Sequence, residues 1–445
     1  MKLLRVLYRE LGIQHLRTSS SPRDVYLLIL CRFLRLLGFG SIAPLLVLFL
    51  QELRLSDVKI GVFLGLTLFG DVALSLLISW IADGVGRRRV LAIGSGMMGL
   101  SGITFACSSN YALLLLGACL GVLSTSGNEC GLVEKDDRGY VLVWYQVLGF
   151  VGIALGSILS GSAVTALESE SHSTLSAYRV IFAFYSLVAI IKVVLSLCLS
   201  GSVEANGKQL LKAPEDEPRL ESERAPLLRS TPSTPRLDTE IPVREEDVDA
   251  KCSSPAALPM GRLSLTCVLF SVDSFASALV PASYVALYLK SVYFLELGAI
   301  SKVIASAALG AVITSIAAGA ISKRAGLVLA MVSFHIPAQI LQGGMGFVPS
   351  SNASAVIALY IAKTCLSSLD SSVRGAFLSA MVPAESRTRF LGLVDVSRSL
   401  SAGFGPFVTG RLGDRLDLAF VISAGLKIAA DVALLASFWK VTLVN

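Results

Sequence analysis

Two apolar runs, residues 60–82 and 90–107, are separated by a turn that ends in Gly86-Arg87-Arg88-Arg89. Each run is near the roughly 20 residues an α-helix needs to cross a bilayer's hydrocarbon core. The turn therefore joins two membrane spans. Three adjacent arginines in so short a link place it on the cytoplasmic side by the positive-inside rule. Similar runs recur through the 445 residues, of which 54% are hydrophobic and only 16% charged; a soluble domain carries about 25% charged residues. Long unbroken runs predict helices, since the strands of a membrane β-barrel show short alternating segments instead.

The runs predict twelve spans, six on each side of a charged, Pro- and Ser-rich segment. The first six cover residues 25–50, 60–82, 90–107, 111–126, 140–167 and 178–199. The second six begin at 263–289, and the ninth, tenth and twelfth cover 327–347, 355–382 and 416–438. The resulting organisation is a basic amphipathic cytoplasmic segment (1–24), a first six-helix bundle (25–200), a disordered cytoplasmic loop (201–261), a second bundle (262–440) and a short tail (441–445). A segment with the composition of 201–261 cannot bury a core. The net charge of +6 falls between spans, which argues against nucleic acid as a partner. The eight cysteines lack a Cys-x-x-Cys pattern, and His15, His172 and His335 lack metal-ligand spacing, so no metal or other cofactor is expected.

Charges inside the spans are the candidate functional residues. Arg32 and Arg35 lie three apart on the first span and share a helix face. At membrane depth they should face the bundle interior and find a partner; Asp71, alone in the second span, is the candidate. The fourth span exits through Gly127-Asn128-Glu129, so Glu129 is either a helix-end residue or part of the path. Asp273 lies eight residues before Pro281, much as Arg35 lies nine before Pro44. Such matched positions predict repeated bundles facing one central site. Asp370 and Arg374 are four apart on the tenth span, as a local ion pair or a coupling pair. Asp395 and Arg398 lie on the eleventh, where Gly405-Pro406 predicts a bend suited to a gate. Lys427 and Asp431, also four apart, read as mainly structural.

The pattern Asp83-Gly84-Val85-Gly86-Arg87-Arg88 resembles the loop between the second and third helices of the major facilitator superfamily. The fuller form there is Gly-x-x-x-Asp-Arg-x-Gly-Arg-Arg; Ser79 and Gly84 depart from it. The resemblance implies that Asp83 pairs with neighbouring helix ends to hold one conformation of a carrier. A decayed copy, with Gly319, Arg324 and Gly326 kept and Lys323 in place of the Asp, lies at the matching place in the second half. Arg32-Phe33-Leu34-Arg35, Gly70-Asp71-Val72, Gly127-Asn128-Glu129 and Val272-Asp273-Ser274-Phe275-Ala276-Ser277 resemble a fungal branch of that superfamily, although the link after Glu129 is shorter here. The fifth span has Gly156-Ser157 where antiporters of the superfamily carry Gly-Pro.

The resemblance implies an all-α membrane protein of twelve transmembrane helices in two pseudo-symmetric six-helix bundles, with both termini cytoplasmic. It further implies a monomeric, multi-pass carrier in the plasma or vacuolar membrane, moving a small organic molecule by alternating access, coupled to protons. Export is expected ahead of uptake of an anionic nutrient. Glu223, Leu227 and Leu228 resemble an acidic dileucine sorting signal, which would recruit a sorting adaptor. A receptor or scaffold that signals through the central loop is the alternative from another class. An enzyme is not expected: there is no phosphate-binding loop, and no nucleophile, base and orienting group recur at informative spacing.

Overall fold

The computed structural model describes residues 22–121, 138–170, 173–200, 260–325, 327–380 and 384–438. Glu129, Glu223, Leu227, Leu228 and Gly326 lie outside the described residues, as do the side chains of Asp83, Arg87, Arg324 and Asp370 and the surroundings of Gly319. Everything described is helix and short links. The helices of the first half are α1 (Pro22–Ile42), α2 (Leu46–Glu52), α3 (Asp57–Val85), α4 (Arg87–Cys107), α5 (Tyr111–Gly121), α6 (Arg138–Ser169) and α7 (Thr174–Leu197). Those of the second are α8 (Met260–Leu279), α9 (Ala282–Tyr293), α10 (Leu297–Ala325), α11 (Leu327–Met345), α12 (Ala353–Ala380), α13 (Ala384–Leu412) and α14 (Leu416–Phe438).

Two spans that the sequence predicts as continuous are broken. The first divides at residues 43–45, around Pro44, and the seventh divides before Pro281, which caps α9. Proline lacks the amide that the helix ladder needs, so both breaks fall where a ladder bond cannot form. With α1–α2 and α8–α9 each counted as one broken span, the chain makes twelve passes. Eight of these are long and apolar enough to cross a membrane on length and composition alone. Two further stretches, Tyr111–Gly121 and Ala353–Leu369, are apolar but shorter among the described residues.

Helix contacts repeat between the halves. In the first, α1 packs on α6 and α7, α4 on α5 and α7, and α3 on α5. In the second, α8 packs on α13 and α14, α11 on α12 and α14, and α10 on α12. Each pairing of one half thus has its counterpart in the other. Close approach rests on small residues, as expected where lipid removes the hydrophobic drive between helices. A Cβ on Gly40 would lie 2.4 Å from the Ile153 carbonyl oxygen, and one on Gly156 2.0 Å from that of Leu37.

The halves meet through α3 on α13, α6 on α10 and α2 on α9. Gly61 faces Pro406 and Gly410, Gly65 faces Phe407, and Gly161 faces Ser301. One apolar cluster spans both halves at this end, from Phe49, Phe63, Phe105 and Phe182 to Tyr284, Tyr288 and Phe420. Among the described residues this end, which carries the α2–α3 and α9–α10 links, is packed shut.

The basic turn is a single residue. Helix α3 runs to Val85, α4 starts at Arg87, and Gly86 between them has φ +94° and ψ +141°. Only glycine adopts such a backbone readily. Gly86→Ala is therefore expected to cost about 1–3 kcal/mol, read as a lower Tm of the detergent-solubilised protein. Arg88 donates to the Leu197 carbonyl oxygen in the last turn of α7, where carbonyls lack intrahelical partners. Nearby, the Asp24 carboxylate accepts from both the amide and the hydroxyl of Ser200. The turn thus does more than set topology, since it ties the α3–α4 corner to the end of α7.

Candidate functional site

The first-half helices α1, α3, α4, α5 and α7 enclose a cavity of about 380 Å³. Arg32, Arg35, Asp71 and Lys192 line it, with Thr67 and Ser101 as neutral polar groups and Phe39, Phe105, Phe182 and Tyr185 as rings. The structure thus brings Arg32, Arg35 and Asp71 to one wall, as their places in the sequence predict. The Ser75 hydroxyl donates to Asp71 Oδ1 at 3.5 Å. Lys192, on α7, was not predicted to join them; it is buried and lines the same cavity.

The second half holds a different arrangement. Arg374 Nη1 on α12 donates to Asp273 Oδ2 on α8 at 2.6 Å. His335 on α11 stands between two carboxylates: its Nε2 is 3.7 Å from Asp273 Oδ1, and its Nδ1 is 2.5 Å from Asp431 Oδ2 on α14. The result is a buried line, Asp431–His335–Asp273–Arg374, across four helices. Charges removed from water persist only when paired and hydrogen-bonded. The Arg374 guanidinium also lies 5.1 Å from the centre of the Phe270 ring, a cation–π contact. Lys427 and Arg398 act electrostatically on Asp273, and Arg398 Nε donates to the Ser274 hydroxyl at 3.0 Å. Further along, Gln342 donates to the Ser423 hydroxyl, which donates to the Ala276 carbonyl oxygen, linking α11, α14 and α8.

The structure adds contacts that the sequence did not indicate. Arg374, four residues from Asp370 on α12, reaches Asp273 on another helix, while the side chain of Asp370 lies outside the described residues. Asp431, read with Lys427 as mainly structural, also meets His335 Nδ1 at 2.5 Å. His335 carried no functional reading at all. The Asp395 carboxylate is 3.7 Å from Arg398 Nη1 but its side chain is 73% exposed, which sets it outside the buried line. Gly405 and Pro406, the expected bend, lie within helix α13. A Cβ on Gly405 would lie 2.6 Å from the Ala278 carbonyl carbon, so this glycine lets α13 pack directly on α8.

The two clusters can do different things. A cavity with cations and rings on its wall can hold a solute. A histidine with a carboxylate at each ring nitrogen can accept a proton on one side and release one on the other.

Comparison with known proteins accounts for this arrangement. The profile of the Major Facilitator Superfamily matches residues 28–406. An uncharacterized membrane protein of Saccharomyces cerevisiae, YJR124C, is 29% identical over 444 residues, covering 94% of this chain and 95% of its own. The quinolone resistance protein NorA of Staphylococcus aureus is 26% identical over 119 residues, 27% of this chain and 29% of its own. Among solved structures, a D-xylose-proton symporter superposes with a TM-score of 0.68 at 14% identity, over 94% of this chain and 97% of its own; at that identity the likeness concerns the fold. The chain belongs to the Major Facilitator Superfamily, a class of membrane transporters and not of enzymes.

Proposed function

We propose that the chain is a proton-coupled carrier of a small organic solute, working by alternating access between its two halves, with export ahead of uptake. The observation that carries this reading is the buried line Asp431–His335–Asp273–Arg374. Charges so deep in a span are expensive, and their usual use in membrane proteins is a proton or ion path. The positive-inside rule puts Arg88 and Arg89 at the cytoplasm, so the packed end, opposite the α3–α4 corner, faces outward. Export is favoured by the local similarity to a resistance protein.

The proposed coupling step closes the 3.7 Å gap between His335 Nε2 and Asp273 Oδ1, a buried oxygen without a hydrogen bond among the described residues. A proton accepted by His335 passes from Nε2 to Asp273 Oδ1, and Asp273 loses its charge. Arg374 Nη1 then faces a neutral carboxyl, the bond between α8 and α12 weakens, and the guanidinium must find another acceptor. That requirement is what a change of packing between states would satisfy.

The test is flux in vesicles containing purified protein under an imposed pH gradient, screened against a mixed panel of small organic solutes. His335→Gln is expected to lower gradient-driven accumulation by about tenfold or more and to flatten its dependence on pH. Solute exchange without a gradient should persist. An unchanged pH profile in the folded variant would remove His335 from the coupling path.

A further inference from the structure

We infer that the solute is an organic anion with a ring or comparable apolar body, whose charged head is held in the first-half cavity among α1, α3, α4, α5 and α7. The inference rests on the carrier reading and adds its substrate class. Among the described residues, those lining this cavity all belong to the first half and carry three cations, Arg32, Arg35 and Lys192, against one carboxylate, Asp71. A cleft walled by one sign of charge in a low-dielectric surround concentrates ligands of the other sign. A guanidinium meets a carboxylate with two parallel hydrogen bonds. A cationic solute would instead confront that excess.

The cavity is also graded along its length. Arg35 is at the polar part, and Ile42, about two turns further along α1, lies about 10 Å beyond it. Ile42, Phe105 and Phe182 line the cavity and share one apolar cluster, in which Phe105 and Phe182 stack with ring centres 4.8 Å apart. Their faces suit an apolar body whose charged head reaches back to Arg35. The proton-bearing line sits in the other half, so head-group binding and proton transfer do not compete for one arginine.

The test is binding to the detergent-purified full chain by titration calorimetry. The probes are benzoate, cinnamate and indole-3-acetate, each against its primary amide, with tryptamine as the cation. The acids are expected to bind, more weakly as salt rises, and the amides about tenfold or more weaker. Arg35→Gln should bring acid and amide to within about threefold, while Arg35→Lys keeps much of the difference because it keeps the charge. Should Arg35→Gln fail to fold, Lys192→Gln is the second variant, with the same narrowing expected. Amide or amine binding as tight as the acid, or no acid binding to folded wild-type protein, overturns the inference. Acid binding without pH-driven flux of that acid in vesicles would count against the carrier reading and leave the anion site standing.

Discussion

Asp273→Asn is expected to reduce gradient-driven accumulation to background and to destabilise the protein. The two effects have separate causes. Asparagine cannot take up and release a proton, which removes the coupling step. It also leaves Arg374 buried opposite a neutral group where a 2.6 Å charge-assisted bond had been. Removing one member of a buried pair typically costs about 3–5 kcal/mol, whereas replacing both members with apolar groups is often neutral. The double variant Asp273→Leu, Arg374→Met, in which both members are apolar, should therefore recover much of the lost Tm and none of the flux. Thermal unfolding and vesicle flux on the same preparations read both. Full coupling in the single variant would exclude Asp273 as the proton carrier. A double variant no more stable than the single one would show that this pair does not hold α8 to α12.

The spans were legible because apolar runs of membrane length and the turns between them are local signals. The breaks in the first and seventh spans were not read from the sequence, where Pro44 and Pro281 marked only a repeat. The candidate site was half legible. Arg32, Arg35 and Asp71 announced themselves as charges inside spans, and the structure puts them on one cavity. Partnership was not legible. His335 meets a carboxylate 96 residues away, and Arg374 meets one 101 residues away. Spacing along a helix reports only which groups share its own face. It therefore offered Asp370 to Arg374 and Lys427 to Asp431, and a lone histidine looked inert. The usable signal was indirect: a second half with acidic and basic residues on four different spans needs cross-helix partners for them.

The halves also differ in the kind of charge they bury, although their helices pair alike. Cations dominate the wall of the first-half cavity, while the second half encloses a histidine between two carboxylates. A repeated scaffold has thus been given two chemistries. In the carrier proposed above, the contact between the halves is where binding and proton transfer would communicate, and the glycines at that contact test it.

Gly61→Val and Gly156→Val should then fail in different ways, although both add a bulky side chain where a helix backbone lies close. A Cβ at Gly156 would lie 2.0 Å from the Leu37 carbonyl oxygen, inside the first half. Backbone cannot move aside as a side-chain end can, so the α1–α6 pairing is lost and the protein should not accumulate in the membrane; overpacking costs about 1–3 kcal/mol even in more forgiving sites. A Cβ at Gly61 would lie 2.4 Å from the Pro406 carbonyl oxygen, across the two halves. There the clash is relieved by separating α3 from α13, a motion the alternating-access cycle already requires. Gly61→Val should fold and favour the state open at the end now packed shut, with each 1.4 kcal/mol of bias shifting the ratio about tenfold. The reporter is a cysteine placed at Val285, which is buried in the cluster at that end, in a background without native thiols, and labelled by a membrane-impermeant reagent. Faster labelling in Gly61→Val, and likewise in Gly410→Val, whose Cβ would lie 2.7 Å from the Gly61 Cα, supports opening by separation of the halves. Wild-type labelling in both folded variants would mean that this end opens without parting α3 from α13.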